Sequence, residues 1–339
     1  MTPARTVARL ALLLALAASS AAAAATTIKL ATLVPEGSVW DKELRSMGAA
    51  WQKRTDGRVE LRLYPGGVAG DEGDVVRKMR IGQLQAATLT VIGLSELDDG
   101  FNVFAIPRFF DSYEELFHVA DALRPLFAER LEKEGYTLLN WGHAGWVHLF
   151  TTQPVHVPTD LKALKLFASA GDNRMVQWWK SNGYHPVPLA STDIMTGLQT
   201  GMIQALPTTP LAALTLQWYR TTPYMLDLGL APLVGATVVA NRTWNKLSPA
   251  DRAVLLAVGE QVEGRLEAAI PEQDQQAIEQ MQARGLELTR PRTPEEEKAW
   301  REAAATFAAS MQKAMVPQEV YQAALAARET HRRAQNGGR

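Results

Sequence analysis

The sequence predicts an α/β fold of two lobes that are joined by a hinge and braced by one long helix. Predicted strands and helices alternate along most of the chain, the pattern of a mainly parallel sheet covered by helices. An N-terminal export signal leaves about 310 of the 339 residues, more than a single core usually holds. Residues 248–284 are typical of one continuous helix, which is long enough to contact both lobes.

The N-terminus has the three parts of an export signal. Arg5 and Arg9 form a basic region, residues 10–18 are apolar, and an alanine run reaching Ala25 is a small-residue cleavage zone. We therefore predict a signal peptide over residues 1–25, cleaved near Ala25. An uncleaved anchor is the alternative, but the apolar part is shorter than the roughly 18 to 20 residues that a membrane span needs.

The charge and the cysteine content limit which partners and which cellular location can be predicted for this protein. With 35 Lys and Arg against 36 Asp and Glu, the formal net charge is −1, which gives no field for nucleic acid or for an acidic membrane. The longest later apolar stretch, residues 230–240, contains Pro232 and Gly235 and is too short to span a bilayer. With 0 cysteines there is no site for lipid attachment. We predict a periplasmic protein with no nucleic-acid partner and no stable membrane insertion after signal cleavage.

The first third of the mature chain predicts a parallel sheet. Strand patterns at "TIKLATL", Val59–Tyr64 and "AATLTVIG" alternate with two helices, the first of which has Ser38 as its N-cap. Ligands of such sheets sit outside the carboxyl ends of the strands. The loops 34–38, 65–71 and 92–98 are therefore candidate ligand contacts, and Trp40, in the first helical turn, is predicted to lie in a cleft.

A second α/β unit follows and then returns to the first. Strand patterns at "YTLLNW", "WVHLFT", "LKALKLFAS" and "HPVPLA" alternate with helices, and "LVGATVVAN" is predicted to cross back into the first lobe. We assign residues 26–146 and 236–268 to lobe I, residues 147–235 and 269–330 to lobe II, and residues 331–339 to a flexible tail.

The long helix has a clear start. Ser248, Pro249 and Asp251 supply an N-cap, a proline at the first helical position and an acidic first turn. A run to Arg284 would be about 55 Å long at 1.5 Å per residue. Pro271 is predicted to bend it, because its ring removes one backbone donor.

No motif for catalysis or metal binding is present. The six histidines form no HExxH or similar pair on a helix face, and His143 and His148, which could bind a metal in principle, are better explained by packing. There is no GxSxG elbow, and "GGVAGDEG" lacks the Lys-Ser/Thr of a phosphate loop. We predict no catalytic residue, no metal site and no cofactor, and therefore no enzyme.

Several segments together resemble one protein family. These are "KRTDGRVELRLYPGGVAGDE", "IPRFFDSYEEL", "PTDLKALKLFAS", "GYHPVPLASTDIMTGLQTGMIQA" and "ANRTWNKLSPADRAVL", in the same order as in the family. They resemble the substrate-binding subunits of tripartite ATP-independent periplasmic (TRAP) transporters, the DctP-like family. The resemblance implies a two-lobed periplasmic binding-protein fold, type II-like, with a long hinge-bracing helix. It also implies a small-molecule ligand and two partners, the small and large TRAP membrane subunits.

The resemblance also marks the ligand-binding positions, and this chain departs from the family at them. The family's "DLKGLKIRV" ends in an arginine that grips a substrate carboxylate, and here Phe167 stands at that place. A second family arginine falls near Val147. The family's "LQTGVVDGQEN" reads "LQTGMIQALPT", which supplies Gln204, Leu206 and Thr208. Trp146 adjoins these positions.

These replacements predict an apolar or uncharged ligand, because a carboxylate enclosed without a cation would cost several kcal/mol. We expect Trp40, Trp146, Phe167 and Leu206 to line one cleft. One alternative is an organic acid held by another arginine, Arg174 or Arg108. Others are an enzyme, or a sensor without a ligand, on the same fold.

Overall fold

The computed structural model describes residues 25–337. The predicted signal peptide lies outside these residues, apart from Ala25. Among the described helices, none combines the length and the apolar character that a membrane crossing requires.

Two separate sheets form the framework, which confirms the predicted two-lobed α/β fold. The first has the strand order β2-β1-β3-β10-β4, with β1 parallel to β2 and β3, and β10 antiparallel to β3 and β4. Its strands are β1 (Thr26–Thr32), β2 (Val59–Tyr64), β3 (Ala86–Thr90), β4 (Tyr136–Trp146) and β10 (Pro232–Ala240).

The second sheet has the order β11-β9-β5-β8-β6-β7. In it β5 runs antiparallel to β8 and β9, while β6 is parallel to β7 and β8. Its strands are β5 (His148–Thr151), β6 (Lys165–Ser169), β7 (His185–Leu189), β8 (Ala205–Thr208), β9 (Tyr224–Leu226) and β11 (Glu287–Thr289).

The helices cover both sheets and connect them. They are α1 (Val39–Arg54), α2 (Glu72–Arg80), α3 (Val91–Ser95), α4 (Tyr113–Lys133), α5 (Pro158–Lys162), α6 (Asn173–Ser181), α7 (Ile194–Gln199), α8 (Pro210–Thr215), α9 (Asn241–Trp244), α10 (Pro249–Gln282), α11 (Pro294–Ala314) and α12 (Gln318–Gly337). Short 3-10 turns lie at Asp99–Ala105, Ser191–Asp193 and Trp218–Arg220.

The first sheet is buried on both faces. On one face, the rings of Phe101, Phe104 and Phe127 lie 5.3–5.8 Å from the ring of Trp141 on β4. On the other face, α1 and α10 pack through side chains such as the fully buried Trp51. The backbone of β4 and β10 is thereby fixed from both sides, and this is the part of the sheet that extends towards lobe II.

Helix α10 braces both lobes, as the sequence predicted. The Ser248 hydroxyl accepts a hydrogen bond from the Asp251 N–H at 3.1 Å and caps a helix of 34 residues, about 51 Å long. Leu255 and Leu266 belong to the core on the first sheet, whereas Met281 packs with Phe150 of the second sheet. The helix continues through Pro271.

The end of the chain differs from the sequence assignment. Helix α11 starts in the lobe II core, where Trp300 is buried, but reaches the lobe I core at Met311. Helix α12 then buries Val320 and Ala324 in the lobe I core. The assignment of all of residues 269–330 to lobe II was wrong in this respect, because apolar residues spaced four apart bury a helical face against α4.

Two smaller boundaries also differ. The residues assigned to a flexible tail begin inside α12, where Arg332 pairs with Asp111 at 2.7 Å and with Glu115 at 2.5 Å. The returning strand enters the first sheet at Pro232, which pairs with Trp146, and so starts before the predicted boundary at 236.

Candidate functional site

A cavity of about 510 Å³ lies between the two lobes. The strands β1, β3 and β8 end at it with Thr32, Thr90 and Thr208. This is where parallel sheets hold their ligands. From lobe I it is lined by residues 32–35, 38–40, 66, 72, 88–90, 92, 143–144 and 233–235; from lobe II by residues 167, 191–192, 194–195, 206–209, 211–212, 215–216 and 218.

Trp40 forms part of the lobe I wall. Its indole N–H donates to the His143 carbonyl at 2.8 Å, and the side chain is 6% exposed. The outer edge of the ring lies against Gly142 of β4, since a Cβ on that glycine would fall 1.9 Å from the Trp40 ring. The sequence predicted Trp40 at a cleft, and the bare backbone of Gly142 is what allows the ring to reach it.

The lobe II wall is apolar where the sequence departs from the family. Phe167 on β6 and Leu206 on β8 are buried neighbours in one cluster with Ile194 and Trp218. All four line the cavity. The wall at this point is therefore made of aromatic and aliphatic carbon.

Glu72 is the only Asp, Glu, Lys or Arg side chain among the described residues that line the cavity. One of its oxygens accepts the Thr90 N–H at 2.7 Å; the other accepts the Thr90 hydroxyl at 2.7 Å and the Gly93 N–H at 2.8 Å. Burial raises the pKa of Glu72, although these hydrogen bonds favour its charged form. The carboxyl group is thus held by lobe I.

The remaining polar lining is neutral. It consists of hydroxyl groups and one imidazole, His143, whose pKa burial lowers to about 4, because the charged ring would be desolvated. The hydroxyl-bearing residues are Thr32, Ser38, Thr88, Thr90, Ser191, Thr192, Thr208, Thr209 and Thr215. Among the described residues, the cavity lining therefore offers hydrogen-bonding groups and no Lys or Arg side chain.

The profile of the family described as "DctP: Bacterial extracellular solute-binding protein, family 7" matches residues 30–314. The chain belongs to this family. A solute-binding protein of Chromohalobacter salexigens is 26% identical over 221 residues, which are 65% of this chain and 66% of the relative, just under two thirds of its length.

Solved receptors of TRAP transporters share the fold. DctP7 of Bordetella pertussis, a receptor that binds pyroglutamic acid, has a TM-score of 0.82 at 21% identity, covering 90% of this chain and 100% of that one. A TRAP receptor of Chromohalobacter salexigens with bound D-glucuronate has a TM-score of 0.79 at 22% identity, covering 89% of this chain and 99% of that one. The DctP-like resemblance is thereby confirmed. The family and fold are those of solute-binding receptors.

The structure places the predicted site residues in different surroundings. Phe167, Leu206 and Thr208 line the cavity together with Trp40. Trp146 does not, and borders a separate groove at the hinge. Its ring lies 5.9 Å from the ring of Tyr113 on α4, and the preceding Gly145 has a φ of +98°.

Val147 and Gln204 also lie outside the cavity lining. Val147 is part of the hinge: its N–H donates to the Ala231 carbonyl at 2.8 Å, and its carbonyl accepts from the Leu230 N–H at 2.9 Å. Gln204 sits before β8, and its side-chain oxygen accepts the Lys165 N–H at 3.3 Å. These two positions were predicted from the family resemblance, and in this structure both take part in backbone pairing.

The alternative arginines lie elsewhere as well. Arg174 on α6 forms a two-pronged ion pair with Asp99, with one contact at 3.1 Å, and so joins lobe II to lobe I outside the cavity lining. Arg108 borders the hinge groove. Neither residue is among those that line the cavity, and the assignment of Arg174 to the ligand site stays a prediction.

Because both members of the Arg174–Asp99 pair are about half exposed, we expect Arg174→Gln to lower the free energy of unfolding by no more than about 1 kcal/mol. Urea denaturation measures this. Asp99→Asn is the matched control and should have the same effect, with the double variant no worse than either. If Arg174→Gln instead removed a thermal stabilisation by an organic acid, Arg174 would be a ligand contact.

Other lining residues were missed by the sequence analysis. Trp218 follows Gln217, whose backbone φ is +56°, and no local pattern marks this turn as part of a cavity. Glu72 directly follows the loop 65–71, which the sequence analysis had marked as a candidate ligand contact. Its position in the cavity lining depends on hydrogen bonds from Thr90 and Gly93, which no local pattern indicates. By contrast, Val34, Gly66 and Ile92 lie in the three loops that the strand pattern had marked.

Proposed function

We propose that this chain is the periplasmic solute-binding receptor of a TRAP-type secondary transporter and that it binds a neutral, predominantly apolar small molecule. The observation that carries this proposal is the cavity lining, in which Phe167 and Leu206 stand at family ligand positions and the described residues supply no Lys or Arg.

The physical argument concerns desolvation. A ligand carboxylate in the closed cavity would exchange water for neutral side chains and for the acidic Glu72, a loss of several kcal/mol. A neutral ligand avoids that loss and gains about 25 cal/mol for each Å² of apolar surface that it buries. The volume of about 510 Å³ lies in the usual range for sites of small organic ligands.

The receptors with known ligands favour a second candidate, an organic acid. The two similar structures hold pyroglutamic acid and D-glucuronate. An acid in this cavity would need a cation from outside the present lining. Arg174 is engaged by Asp99 and Arg108 borders the hinge groove, so we favour the neutral ligand.

The rest of the proposal follows from the family. We expect export through the N-terminal signal peptide, release into the periplasm, and delivery of the ligand to the small and large TRAP membrane subunits. We expect no catalysis, so incubation with a ligand should return it unchanged.

A thermal-shift panel tests the choice of ligand. Neutral amphiphilic compounds at about one hundred times their dissociation constant should stabilise the protein by about 2.7 kcal/mol, or several degrees in melting temperature. Succinate, pyroglutamate and D-glucuronate should give no shift at matched ionic strength. A shift with the acids alone would support the organic-acid alternative, and no shift with any compound would support a sensor without a ligand.

A further inference from the structure

The hinge encloses a groove of about 410 Å³ that is separate from the ligand cavity. Three of the connections that line it run between the lobes: the end of β4 at Trp146, the segment between β9 and β10 at Asp227 and Gly229, and α10 at Pro271 and Asp274. Residues of the lobe I segment 108–113 line it as well. A buried carboxyl group, Asp274, lies where these connections meet α4.

Asp274 accepts hydrogen bonds from both sides of the hinge. One oxygen accepts the Leu211 N–H at 3.3 Å, and the other accepts the Trp146 N–H at 3.3 Å and, more weakly, the Tyr113 hydroxyl at 3.5 Å. Gly145 permits this approach, because a Cβ there would lie 2.6 Å from the carboxyl group. The residue thus ties α10 to β4, α4 and the first turn of α8.

Two of the tied elements are walls of the ligand cavity. Leu211 and Ala212 of α8, and His143 and Ala144 of β4, all line it. Displacing α8 relative to β4 would therefore change the width of the cavity between them. Asp274 itself is not among the lining residues, so it can act on a ligand only through these elements.

We propose that Asp274 is a positioning residue: its charged carboxylate holds α8 and β4 in the ligand-retaining arrangement, so that loss of its charge loosens the cavity. This inference rests on the proposed receptor function and adds a means of regulating the same site.

The charge of Asp274 changes at a physiological pH. Burial raises its pKa to about 6, and its hydrogen bonds only partly offset this. On protonation one oxygen becomes an O–H donor and a weaker acceptor for the N–H that it faces. At least one of the contacts with Trp146 and Leu211 is then weakened. If Asp274 stays buried when this contact opens, its pKa is higher in the loosened arrangement, and we expect the cavity to loosen as the pH falls through about 6.

Other titratable groups lie on the elements packed around Asp274. Burial lowers the pKa of His143 on β4 to about 4, so this ring is neutral near pH 6, and burial also lowers the pKa of His148 on β5. Burial and the charge of Asp274 raise the pKa of Tyr113 on α4. Besides Asp274, the charged residues that line the groove are Arg108, Asp111 and Asp227. Asp111 forms an ion pair with Arg332, and Asp227 forms one with Arg290.

Fold stability should respond in the opposite direction. A carboxyl group whose pKa is higher in the folded than in the unfolded state favours folding when it is protonated. Asp274 therefore destabilises the fold above pH 6, and this cost disappears as the pH falls from about 6 towards 4. Weaker ligand binding at low pH would then occur without unfolding, which separates a positioning role from a merely structural one.

The test uses the neutral fluorescent probe N-phenyl-1-naphthylamine. Its dissociation constant for the wild-type protein should rise about tenfold between about pH 7.5 and about pH 5, equivalent to a shift of one pKa unit on binding. Asp274→Asn should bind weakly at both values and lose the pH dependence. Glu267→Gln is the matched control on the same helix: burial raises the pKa of Glu267 to about 7, and it is not among the residues of the cavity or the groove.

A second measurement needs no ligand. The chain has 0 cysteines, so spin labels on Val68→Cys and Met202→Cys, both exposed, report the distance between the lobes. That distance should change with a midpoint near pH 6, and the change should disappear in Asp274→Asn. A pH-independent distance, or an unaltered profile in the variant, overturns the inference. Failure of the probe to bind at about pH 7.5 counts against the proposed neutral cavity, and the label distance then still decides the role of Asp274.

Discussion

Phe167→Arg is expected to weaken binding of a neutral ligand by about 2 to 5 kcal/mol, the cost of burying a charge without a partner. Phe167 is 8% exposed and packs with Leu206 and Trp218 in the cavity wall. A guanidinium in its place would lose this apolar contact and would be desolvated when the lobes close. Fluorescence titration with N-phenyl-1-naphthylamine measures the change.

Phe167→Leu is the matched control for this substitution. It keeps an apolar side chain and should cost no more than about 1.5 kcal/mol of binding free energy, the usual upper limit for replacing one apolar side chain by another of similar volume. Equal effects of the two substitutions would mean that ring shape matters and charge does not. An unchanged affinity in Phe167→Arg would remove Phe167 from the ligand site.

Gly142→Ala is expected to lower the free energy of unfolding by about 3 kcal/mol, at the upper end of the usual cost of overpacking. The added Cβ would fall 1.9 Å from the Trp40 ring, which is held in place by its hydrogen bond to the His143 carbonyl. The ring would have to leave the cavity wall. Urea denaturation and the intrinsic tryptophan fluorescence report both consequences.

Gly264→Ala serves as the control for the glycine substitution. Gly264 is an exposed helical residue of α10 with no atom within 4 Å of an added Cβ, so alanine there should stabilise the helix by up to about 1 kcal/mol. A second substitution, Trp40→Leu, should recover part of the stability of Gly142→Ala. A loss below about 1 kcal/mol in Gly142→Ala would contradict the tight contact described here.

Local patterns in the sequence predicted much of the fold, because the relevant signals act within a few residues. The Ser38 cap of α1, whose hydroxyl accepts the Asp41 N–H at 3.2 Å, and the Ser248 cap of α10 are both present. The return of β10 to the first sheet was predicted because two hinged lobes need more than one strand that crosses between them. The packing of α12 could also have been inferred, since Val320 and Ala324 share one helical face.

The ligand site was predictable only in part. Trp40 was predicted because ligands lie at the carboxyl ends of parallel strands. Phe167 and Leu206 were predicted from the resemblance to the DctP-like family. Trp146 lines the hinge groove instead. Beside it, the carboxyl group of Asp274 on α10 fills the space that a Cβ on Gly145 would take, and no local pattern indicates this contact between distant parts of the chain. Trp218 depends in the same way on how lobe II packs as a whole.

Native mass spectrometry of the protein purified from its expression host, followed by extraction and identification of any bound compound, tests the central claim most directly. We predict a neutral compound that is mostly hydrocarbon, with at most a few hydroxyl or carbonyl groups to meet the hydroxyl-lined part of the cavity. A co-purifying carboxylate that is released by substituting Arg174 or Arg108 would contradict the claim, because it would show that a cation reaches a cavity whose described lining contains none.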